Sequence, residues 1–364
     1  MTNDKFVCIA VLLFSLLLAA ALETIVLVIT QTSRSHSKLK LAGASFFPIS
    51  LFVFSICILA YSNTASQYAI SNNLPSAKEL LRLLTGNLLL LGVGIKDDIS
   101  GIRKRYKILF QFIAAAIMVW SGLYINNLYG LFNIRNLAPW AGIPFTILLS
   151  IVIMNIIKII DIADGLASGL LGVACVSLGI LFLVKGMLFY SLICTILSGI
   201  LVPFFYYNVF NTSHKVFIGS TGSLTLGFMI SYLAIHFAMN IPNSYASFRS
   251  PFIIVLSILF IPLFDGLRVI LVRAYRGRPF FQPDRRHIHH KLIDAGISHS
   301  MAMVSLIICT SLMIVLNVFL SNKVNVNILL AIDILFWLEL VLVLDIKLKG
   351  LIKKIKLTNA TFFS

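Results

Sequence analysis

The amino-acid sequence predicts an all-α integral membrane protein, a polytopic helix bundle. Of the 364 residues, 59% are hydrophobic and only 12% are charged, and the mean hydropathy is +0.99. A soluble globular domain carries about 25% charged residues, so this composition excludes an ordinary soluble enzyme. It also excludes a disordered chain, because disordered segments are poor in apolar residues.

The apolar residues are gathered into segments long enough to span a bilayer. A spanning helix needs about 20 mostly apolar residues, and about 11 segments meet that need. In chain order they are 6–30, 45–62, 79–95, 108–124, 141–157, 166–184, 186–206, 219–238, 251–271, 300–320 and 326–346. The first is too long for the core of a signal peptide and no clear cleavage site follows it, so we expect it to be retained. The boundary between the sixth and the seventh is the least clearly marked.

The distribution of basic residues supports this set of helices. Of the 29 Lys and Arg residues, 22 fall on one side of the predicted membrane. Loops rich in basic residues therefore alternate with loops poor in them along the chain. Because cytoplasmic loops are enriched in Lys and Arg, we expect the N-terminus outside and the C-terminus inside. The net charge of +16 then reflects membrane topology, and nucleic acid is not an expected partner.

The domain organisation follows from the same pattern. We expect a single transmembrane domain over residues 1–346 and a basic cytoplasmic tail over 347–364 that contacts anionic lipid. The five cysteines lie inside apolar runs without paired spacing. That placement is typical of small buried hydrophobic residues rather than of disulfides or a metal site.

The acidic residues with chemical interest lie on the predicted cytoplasmic side. Asp97 and Asp98 follow the third segment, and Asp161 and Asp164 follow the fifth. Adjacent carboxylates repel unless a cation or a proton separates them, and charges at a membrane boundary are costly. For Asp97 and Asp98 the sequence leaves two interpretations open: a functional site, or a solvated loop in which acids balance nearby cations.

The second acidic pair belongs to a series of polar residues spaced three apart. If this segment is helical, Asn155, Lys158, Asp161 and Asp164 share one face and point into the bundle. The alternative is a polar helix seam without chemical function.

Two further motifs suit phosphate groups. Residues 219–223 (GSTGS) open the eighth segment, where glycines and hydroxyls leave backbone N–H groups free for a phosphate. The loop after the ninth segment contains Asp284, Arg285, His287, His289 and His290. Histidine and arginine are suitable donors to a diphosphate. Zinc is an alternative, although no Cys or Glu stands nearby to complete its site, and a plain solvated loop is another.

These clusters share one predicted membrane face, which indicates a reaction class. Carboxylates that hold Mg²⁺ beside cations that hold phosphates are the components of phosphoryl transfer. The surrounding apolar bundle indicates that one substrate is a lipid.

In these motifs the chain resembles the polyprenyl-phosphate N-acetylhexosamine-1-phosphate transferases of glycosyltransferase family 4, which are related to the phospho-N-acetylmuramoyl-pentapeptide transferase of peptidoglycan synthesis. The resemblance extends from about Arg34 to Leu292, and the residues 287–290 (HIHH) are similar to the sugar-transferring branch. It implies transfer of a sugar-1-phosphate from a UDP-sugar to undecaprenyl phosphate, release of UMP, and a need for Mg²⁺ or Mn²⁺. It also implies a bacterial cytoplasmic (inner) membrane location, a cytoplasmic active site and the start of a lipid-linked surface glycan. A homodimer is compatible with it.

The resemblance assigns roles to individual residues. As catalytic residues it implies Asp97, Asp98, Asp161 and Asp164. For the metal it implies Asp97, Asp98 and Asp164. For substrate binding it implies Lys107, Asn155, Lys158, Arg285, His287, His289 and His290. Arg34 and His36 fall where the family has an R-x-H in its first inner loop.

The chain also departs from the family pattern. The second Asn of the N-x-x-N-x-x-D motif is Lys158 here. The family has F-x-G-D-x-G-S, whose aspartate is a metal ligand in the pentapeptide branch, and Ser220 occupies that place. A serine hydroxyl cannot supply the lost charge. Either the four aspartates named above hold Mg²⁺ with weaker affinity, or activity is low, or the chain is a degenerate copy. A further hypothesis is that Lys158 stands where the metal's charge would be and binds a phosphate directly.

Two other functions remain open at this point. A degenerate, non-catalytic paralogue would explain the residues at 158 and 220. A transporter or scaffold for lipid-linked sugars would also need a helix bundle. However, transporters place ionisable residues near the bilayer midplane, whereas these acids lie at the predicted inner boundary.

Overall fold

The structure is a computed structural model, and it describes residues 2–32, 49, 76–160, 165–210, 218–240, 248–277 and 287–362. The elements within these ranges, in chain order, are α1 (Thr2–Thr32), α2 (Ala77–Ser100), α3 (Lys104–Trp120), β1 (Asn127–Leu131), β2 (Ile134–Asn136), α4 (Pro139–Ile160), α5 (Leu166–Val184), α6 (Leu188–Val209), α7 (Gly219–Met239), α8 (Pro251–Ile258), α9 (Phe260–Tyr275), α10 (Ile288–Asp294), α11 (His299–Leu320) and α12 (Val326–Phe362).

These helices confirm an all-α polytopic membrane protein. Among the described residues, α4, α5, α6, α7, α11 and residues 326–346 of α12 are long and apolar enough to span a bilayer, and the bent pair α8–α9 could form a seventh span. The count of about 11 and the orientation of the termini stay predictions. The predicted segment 45–62 lies outside the described residues, apart from residue 49.

The prediction of one continuous helix over 251–271 is wrong. The chain bends by 75° between α8 and α9, with Leu259 at the junction. Pro262 lies in the first turn of α9. Proline has no N–H to donate to the carbonyl four residues earlier, here that of Ile258, and its ring clashes with that carbonyl. A helix therefore ends and a second one begins at this point.

The sequence analysis also missed a small antiparallel strand pair between α3 and α4. Strands β1 and β2 pair Asn127 with Asn136 and Leu131 with Ile134. Phe132 and Asn133, between the strands, have φ angles of 53° and 63°. Positive φ at both central residues matches the right-handed twist of the two strands. The pair is held to the start of α12, because Asn327 donates to the Gly130 carbonyl at 3.0 Å.

Helix α7 is the centre of the bundle, and glycines allow its neighbours to approach closely. Nearly all of its residues are buried. A Cβ added at Gly94 of α2 would lie 2.4 Å from the Cα of Thr221, and one at Gly227 of α7 would lie 2.8 Å from the Cα of Met154 in α4. Small residues at helix contacts permit such close packing in membranes. The ends of α2 and α4 are thereby held next to the start of α7.

The outer helices present apolar surface. On α11, Leu312 and Phe319 are 64% and 65% exposed, and on α12, Leu335 and Leu342 are 64% and 61% exposed. Soluble monomers rarely expose large contiguous apolar patches, so these side chains suit contact with lipid.

Polar clusters lie at the two ends of α2. Near the start of the helix, the Tyr232 hydroxyl donates to Glu79 at 2.7 Å, and Asp97 lies in the last turn. Eighteen residues of helix separate the two acids by about 27 Å, which is close to the thickness of a bilayer core. The predicted site around Asp97 therefore lies at one end of the bundle.

Candidate active site

Asp97 is the centre of a cluster that joins three helices. Lys107 of α3 contacts its Oδ1 at 2.6 Å, and Lys158 of α4 donates to its Oδ2 at 2.8 Å. The backbone N–H of Ile102 also donates to Oδ1, at 2.9 Å. The side chain of Asp97 is only 5% exposed. This buried carboxylate therefore holds two ammonium groups at fixed positions.

Local structure explains why Asp97 and Lys107 meet. Helix α2 ends at Ser100, and the N–H of Gly101 donates to the Asp97 carbonyl at 3.0 Å. Gly101 has a φ of +71°, a backbone conformation that glycine adopts most easily. After two further residues α3 begins at Lys104. The last turn of α2 and the first turn of α3 are therefore adjacent.

The two lysines also control the ionisation of Asp97. Burial by itself would raise the pKa of this carboxyl, but hydrogen bonds from the two lysines and from the Ser220 hydroxyl hold its pKa below the usual value. A carboxylate that is stabilised in this way stays ionised at neutral pH.

Lys158 links Asp97 to Ser220. Besides donating to Asp97, its Nζ donates to the Ser220 Oγ at 2.7 Å. The side chain of Lys158 is 29% exposed, so part of this side chain is accessible to solvent. Two residues at which the chain departs from the family pattern are thus in direct contact.

Asp98 is bound to the start of α7. One of its oxygens accepts from the N–H of Ser220 at 2.8 Å, and the other accepts from the N–H of Thr221 at 2.9 Å and from its hydroxyl at 2.6 Å. A carboxylate at a helix N-terminus satisfies N–H groups that have no partner within the helix. The expectation that these N–H groups are free for a phosphate is therefore wrong for Ser220 and Thr221.

A groove of about 760 Å³ lies beside this cluster, between α2 and α3. Leu88, Leu89 and Phe110 form apolar parts of its wall, and Lys96 and Arg103 line it as well. From Leu88 to Lys96 the groove follows α2 for about 12 Å. It combines an apolar channel with cations at one end, which suits a lipid that carries a phosphate.

The histidines form a second, buried cluster with Asp265. Nδ1 of His287 lies 2.7 Å from Asp265 Oδ2, and Arg268 donates to Oδ1 of the same carboxylate at 2.8 Å. His287 and His289 stack, with ring centroids 5.9 Å apart. Both are about 97% buried, so the solvated-loop interpretation is wrong for these two residues.

The charge states of these histidines follow from burial. Burial and neighbouring histidines lower the pKa of His289 to about 3, so His289 is neutral at pH 7. The Nε2 atom of His287 and both ring nitrogens of His289 have no hydrogen-bond partner among the described residues. Because buried polar groups are nearly always paired, these atoms suit contact with a ligand or with residues outside the described ranges.

The two clusters are connected through packing of α9 on α4. A Cβ at Gly266, next to Asp265, would lie 2.5 Å from Ile156, two residues before Lys158. Close contact at these positions brings Asp265 to the same end of the bundle as Lys158.

Of the remaining predicted residues, some are described by the structure and the others lie outside the described ranges. Asn155 donates to Gln111 Oε1 at 2.7 Å and to the Ile151 carbonyl at 2.8 Å, so it joins α4 to α3. Asp161, Asp164 and Arg285 lie outside the described residues, as do Arg34 and His36.

Sequence reasoning missed several partners. Asp265, Gln111 and Thr221 were not assigned a role from the sequence. The signal for Asp265 was its isolation, since a carboxylate among apolar residues needs a partner. The choice of His287 as that partner depends on tertiary structure.

Comparisons with known proteins bear on this arrangement. Residues 80–238, which contain Asp97, Lys107, Lys158 and Ser220, match the family described as glycosyl transferase family 4. Over this part of its length the chain is similar to glycosyl transferase family 4.

The chain is also similar to named bacterial transferases. The chain is 32% identical over 262 residues to the decaprenyl-phosphate N-acetylglucosaminephosphotransferase of Mycobacterium leprae (strain TN), an alignment that covers 66% of this chain and 65% of that protein. It is 29% identical over 240 residues to the probable undecaprenyl-phosphate N-acetylglucosaminyl 1-phosphate transferase of Bacillus subtilis (strain 168), covering 65% and 64%. A third relative, the undecaprenyl-phosphate alpha-N-acetylglucosaminyl 1-phosphate transferase of Yersinia pestis, is 29% identical over 239 residues, covering 63% of each chain. The chain thus spans slightly less than two thirds of the length of these relatives.

Family resemblance implies Mg²⁺ or Mn²⁺, and the described residues around Asp97 do not fit such an ion. Both oxygens of Asp97 already contact ammonium groups, and both oxygens of Asp98 accept N–H donors of α7. Ser220 brings a neutral hydroxyl. Within the described ranges no group of three or more His, Cys, Asp or Glu residues is placed to hold a metal ion, which also leaves the zinc interpretation of the histidines without support there.

Proposed function

We propose that this chain transfers N-acetylhexosamine-1-phosphate from a UDP-sugar to a polyprenyl phosphate, with release of UMP. In this reaction an oxygen of the lipid phosphate bonds to the β-phosphorus of the UDP-sugar. The bond from that phosphorus to the oxygen bridging to the α-phosphate breaks, and UMP leaves with the electron pair. The product is a lipid-linked sugar diphosphate that starts a surface glycan.

One observation carries the proposal: Lys107 and Lys158, both held by Asp97, lie beside a groove with apolar walls. Phosphoryl transfer depends mainly on positioning and on charge stabilisation. Asp97 fixes both ammonium groups, so they are pre-organised for the negative oxygens of the reacting phosphates. The relatives are named for a polyprenyl phosphate and for N-acetylglucosamine, and these names support the same substrates.

The groove suggests how the lipid acceptor binds. Its phosphate would lie near Lys96 and Arg103, and the first isoprene units would follow the apolar wall toward the bilayer core. Arg and Lys bind phosphate by charge-assisted hydrogen bonds, while burial of isoprene units adds favourable transfer free energy.

The histidine cluster would serve the donor. His287 is oriented by Asp265, so its Nε2 is held at a fixed position, where it can contact a diphosphate or a sugar hydroxyl. Asp161, Asp164 and Arg285 stay predicted site residues, and Mg²⁺ or Mn²⁺ held by the two aspartates stays a prediction.

The location of the reaction follows from charge. The protein is a multi-pass membrane protein, and the end that carries Asp97 is the predicted cytoplasmic end, where 22 of 29 basic residues lie. UDP-sugars are cytoplasmic substrates, so we propose a cytoplasmic active site in a bacterial inner membrane. A homodimer stays a prediction.

UMP release from the purified full chain tests the proposal. The protein receives undecaprenyl phosphate and a panel of UDP-N-acetylhexosamines, starting with UDP-GlcNAc, in the presence of Mg²⁺ or Mn²⁺. We expect release that requires both lipid and sugar nucleotide and that falls at least about tenfold in Lys107→Gln, which removes one charge from the phosphate site. Absence of release with every donor would refute the proposal and favour the scaffold or transporter function.

The groove is tested with Gly92→Leu. Gly92 lines the groove and a Cβ there meets nothing within 4 Å, so we expect a leucine to fill part of the groove. We expect a higher KM for the lipid and an unchanged KM for the UDP-sugar. Gly172→Leu on α5, where a Cβ is equally free, is the matched control. Equal effects on the two KM values would place the lipid elsewhere.

A further inference from the structure

The cluster around Asp97 already contains its balancing positive charge. The ammonium of Lys158 lies between a carboxylate and a hydroxyl, 2.8 Å from Asp97 Oδ2 and 2.7 Å from Ser220 Oγ. Lys107 neutralises the other carboxylate oxygen at 2.6 Å. Lys158 therefore joins α2, α4 and α7 at one point, as a metal ion shared by three helices would.

Charge arithmetic supports this comparison. Asp97 and Asp98 contribute two negative charges, and Lys107 and Lys158 contribute two positive charges, so these four residues together are neutral. Relative to the family pattern, Lys in place of Asn adds one positive charge and Ser in place of Asp removes one negative charge. The two departures together add two units, the charge of one divalent cation.

A divalent ion at the same place would meet repulsion. It would share Asp97 with two ammonium groups that already lie within hydrogen-bond distance of the carboxylate oxygens. Like charges at such separations repel strongly where water is scarce, and Ser220 offers no negative charge in compensation.

We propose that the Lys158 ammonium takes the place of a divalent cation at the Asp97–Ser220 position. This ammonium holds Asp97 and Ser220 together. It also binds a substrate phosphate directly. Lysine is suited to this role because its ammonium is a compact point charge with three donors. The phosphate-binding part rests on the proposed function, whereas the statement about the cation does not.

Manganese binding to the full chain in lipid nanodiscs tests the inference, with free Mn²⁺ measured by electron paramagnetic resonance. We expect Mn²⁺ binding to the wild type to be the same in Asp97→Asn, because Asp97 is occupied by lysines. The double variant K158N/S220D should bind Mn²⁺ at least about tenfold more tightly than the wild type. It removes one positive charge and adds one negative charge at this position, which favours a cation. Adding D97N to that double variant should remove the site.

A matched control separates this effect from general surface charge. Lys104→Asn, an exposed lysine at the first residue of α3, also removes one positive charge near the cluster and should leave Mn²⁺ affinity close to that of the wild type. Tight wild-type binding that is lost in Asp97→Asn would overturn the inference. So would a K158N/S220D variant that is folded and binds Mn²⁺ no better than the wild type.

Thermal unfolding provides the second readout and reports whether each variant folds. We expect Mn²⁺ to raise the melting temperature of K158N/S220D more than that of the wild type, and any shift in the wild type to be the same in Asp97→Asn. Neither readout requires sugar transfer. A wild type that binds Mn²⁺ independently of Asp97 but releases no UMP would refute the proposed function alone.

Discussion

Gly94 determines how closely α2 approaches the start of α7, and its replacement by alanine gives the sharpest test of the site. The added Cβ would lie 2.4 Å from the Cα of Thr221, 2.9 Å from its N and 3.2 Å from the Ser220 carbonyl oxygen. All three are backbone atoms, so no side chain can rotate out of the way. Carbon atoms prefer separations of about 3.5–4.0 Å, so α2 must move by about 1 Å.

That displacement would break the connection between the helices. The hydrogen bonds from Ser220 and Thr221 to Asp98 measure 2.6–2.9 Å, and an increase of about 1 Å exceeds hydrogen-bond range. Overpacking costs about 1–3 kcal/mol, and hydrogen bonds to a charged group are worth about 1.5–3 kcal/mol each. Alanine is favoured over glycine in a helix by about 1 kcal/mol. We expect a net destabilisation of about 2–4 kcal/mol, because part of the loss is recovered by relaxation.

Reaction of buried cysteines with a thiol-reactive dye during heating measures this effect. Cys175 and Cys194 are fully buried, so they react only when the bundle opens. Gly92→Ala is the matched control for stability, because it lies on the same helix and its Cβ would meet nothing within 4 Å. We expect Gly94→Ala to melt several degrees lower than Gly92→Ala and to lose most UMP release. Equal melting temperatures would refute the argument, since propensity is the same in both.

Further predictions concern individual hydrogen bonds. Thr221→Val removes the hydroxyl that donates to Asp98 at 2.6 Å and should lower the free energy of unfolding by about 1.5–3 kcal/mol. Thr225→Val is the control, because its lost hydroxyl bonds only to its own helix, and it should cost clearly less. Equal losses in the two variants would contradict the capping role of Asp98. Asp265→Asn leaves buried cationic and imidazole partners without their carboxylate and should cost about 3–5 kcal/mol. In a double-mutant cycle, His287→Asn should cost less in the Asp265→Asn background than in the wild type, and additive losses measured by melting would contradict the pairing.

The fold was largely predictable because the bilayer imposes simple rules. Backbone groups in hydrocarbon must be paired within the segment, so apolar stretches of sufficient length become helices. Within the described ranges, α4, α5, α7 and α11 begin and end within about three residues of the predicted bounds, an agreement typical of strongly apolar segments. The bend at Leu259 was missed because hydropathy does not register Pro262. The strand pair was missed because its residues lack a strong alternating pattern.

The site was predictable as a set of residues but not as a network. Asp97, Asp98 and Lys158 stand out in the sequence because charges near a membrane boundary are rare, whereas Lys107 was implied by the family resemblance. Their pairing is not visible there, since Lys158 lies 61 residues from Asp97 and 62 from Ser220. Sequence reasoning placed a phosphate on the N–H groups of Ser220 and Thr221, yet Asp98 accepts those hydrogen bonds.

The sequence by itself determined the class of molecule: a membrane-spanning helix bundle with carboxylates, lysines and histidines concentrated toward one predicted face. This much follows from composition, periodicity and spacing, which are local properties. Tertiary structure decided which charged side chains contact one another. Close packing at Gly94, Gly227 and Gly266 brings four helices together, and only then can one lysine donate to an aspartate and a serine on different helices. Partner choice in a buried cluster depends on distances of a few ångströms between distant segments, and no local pattern contains them.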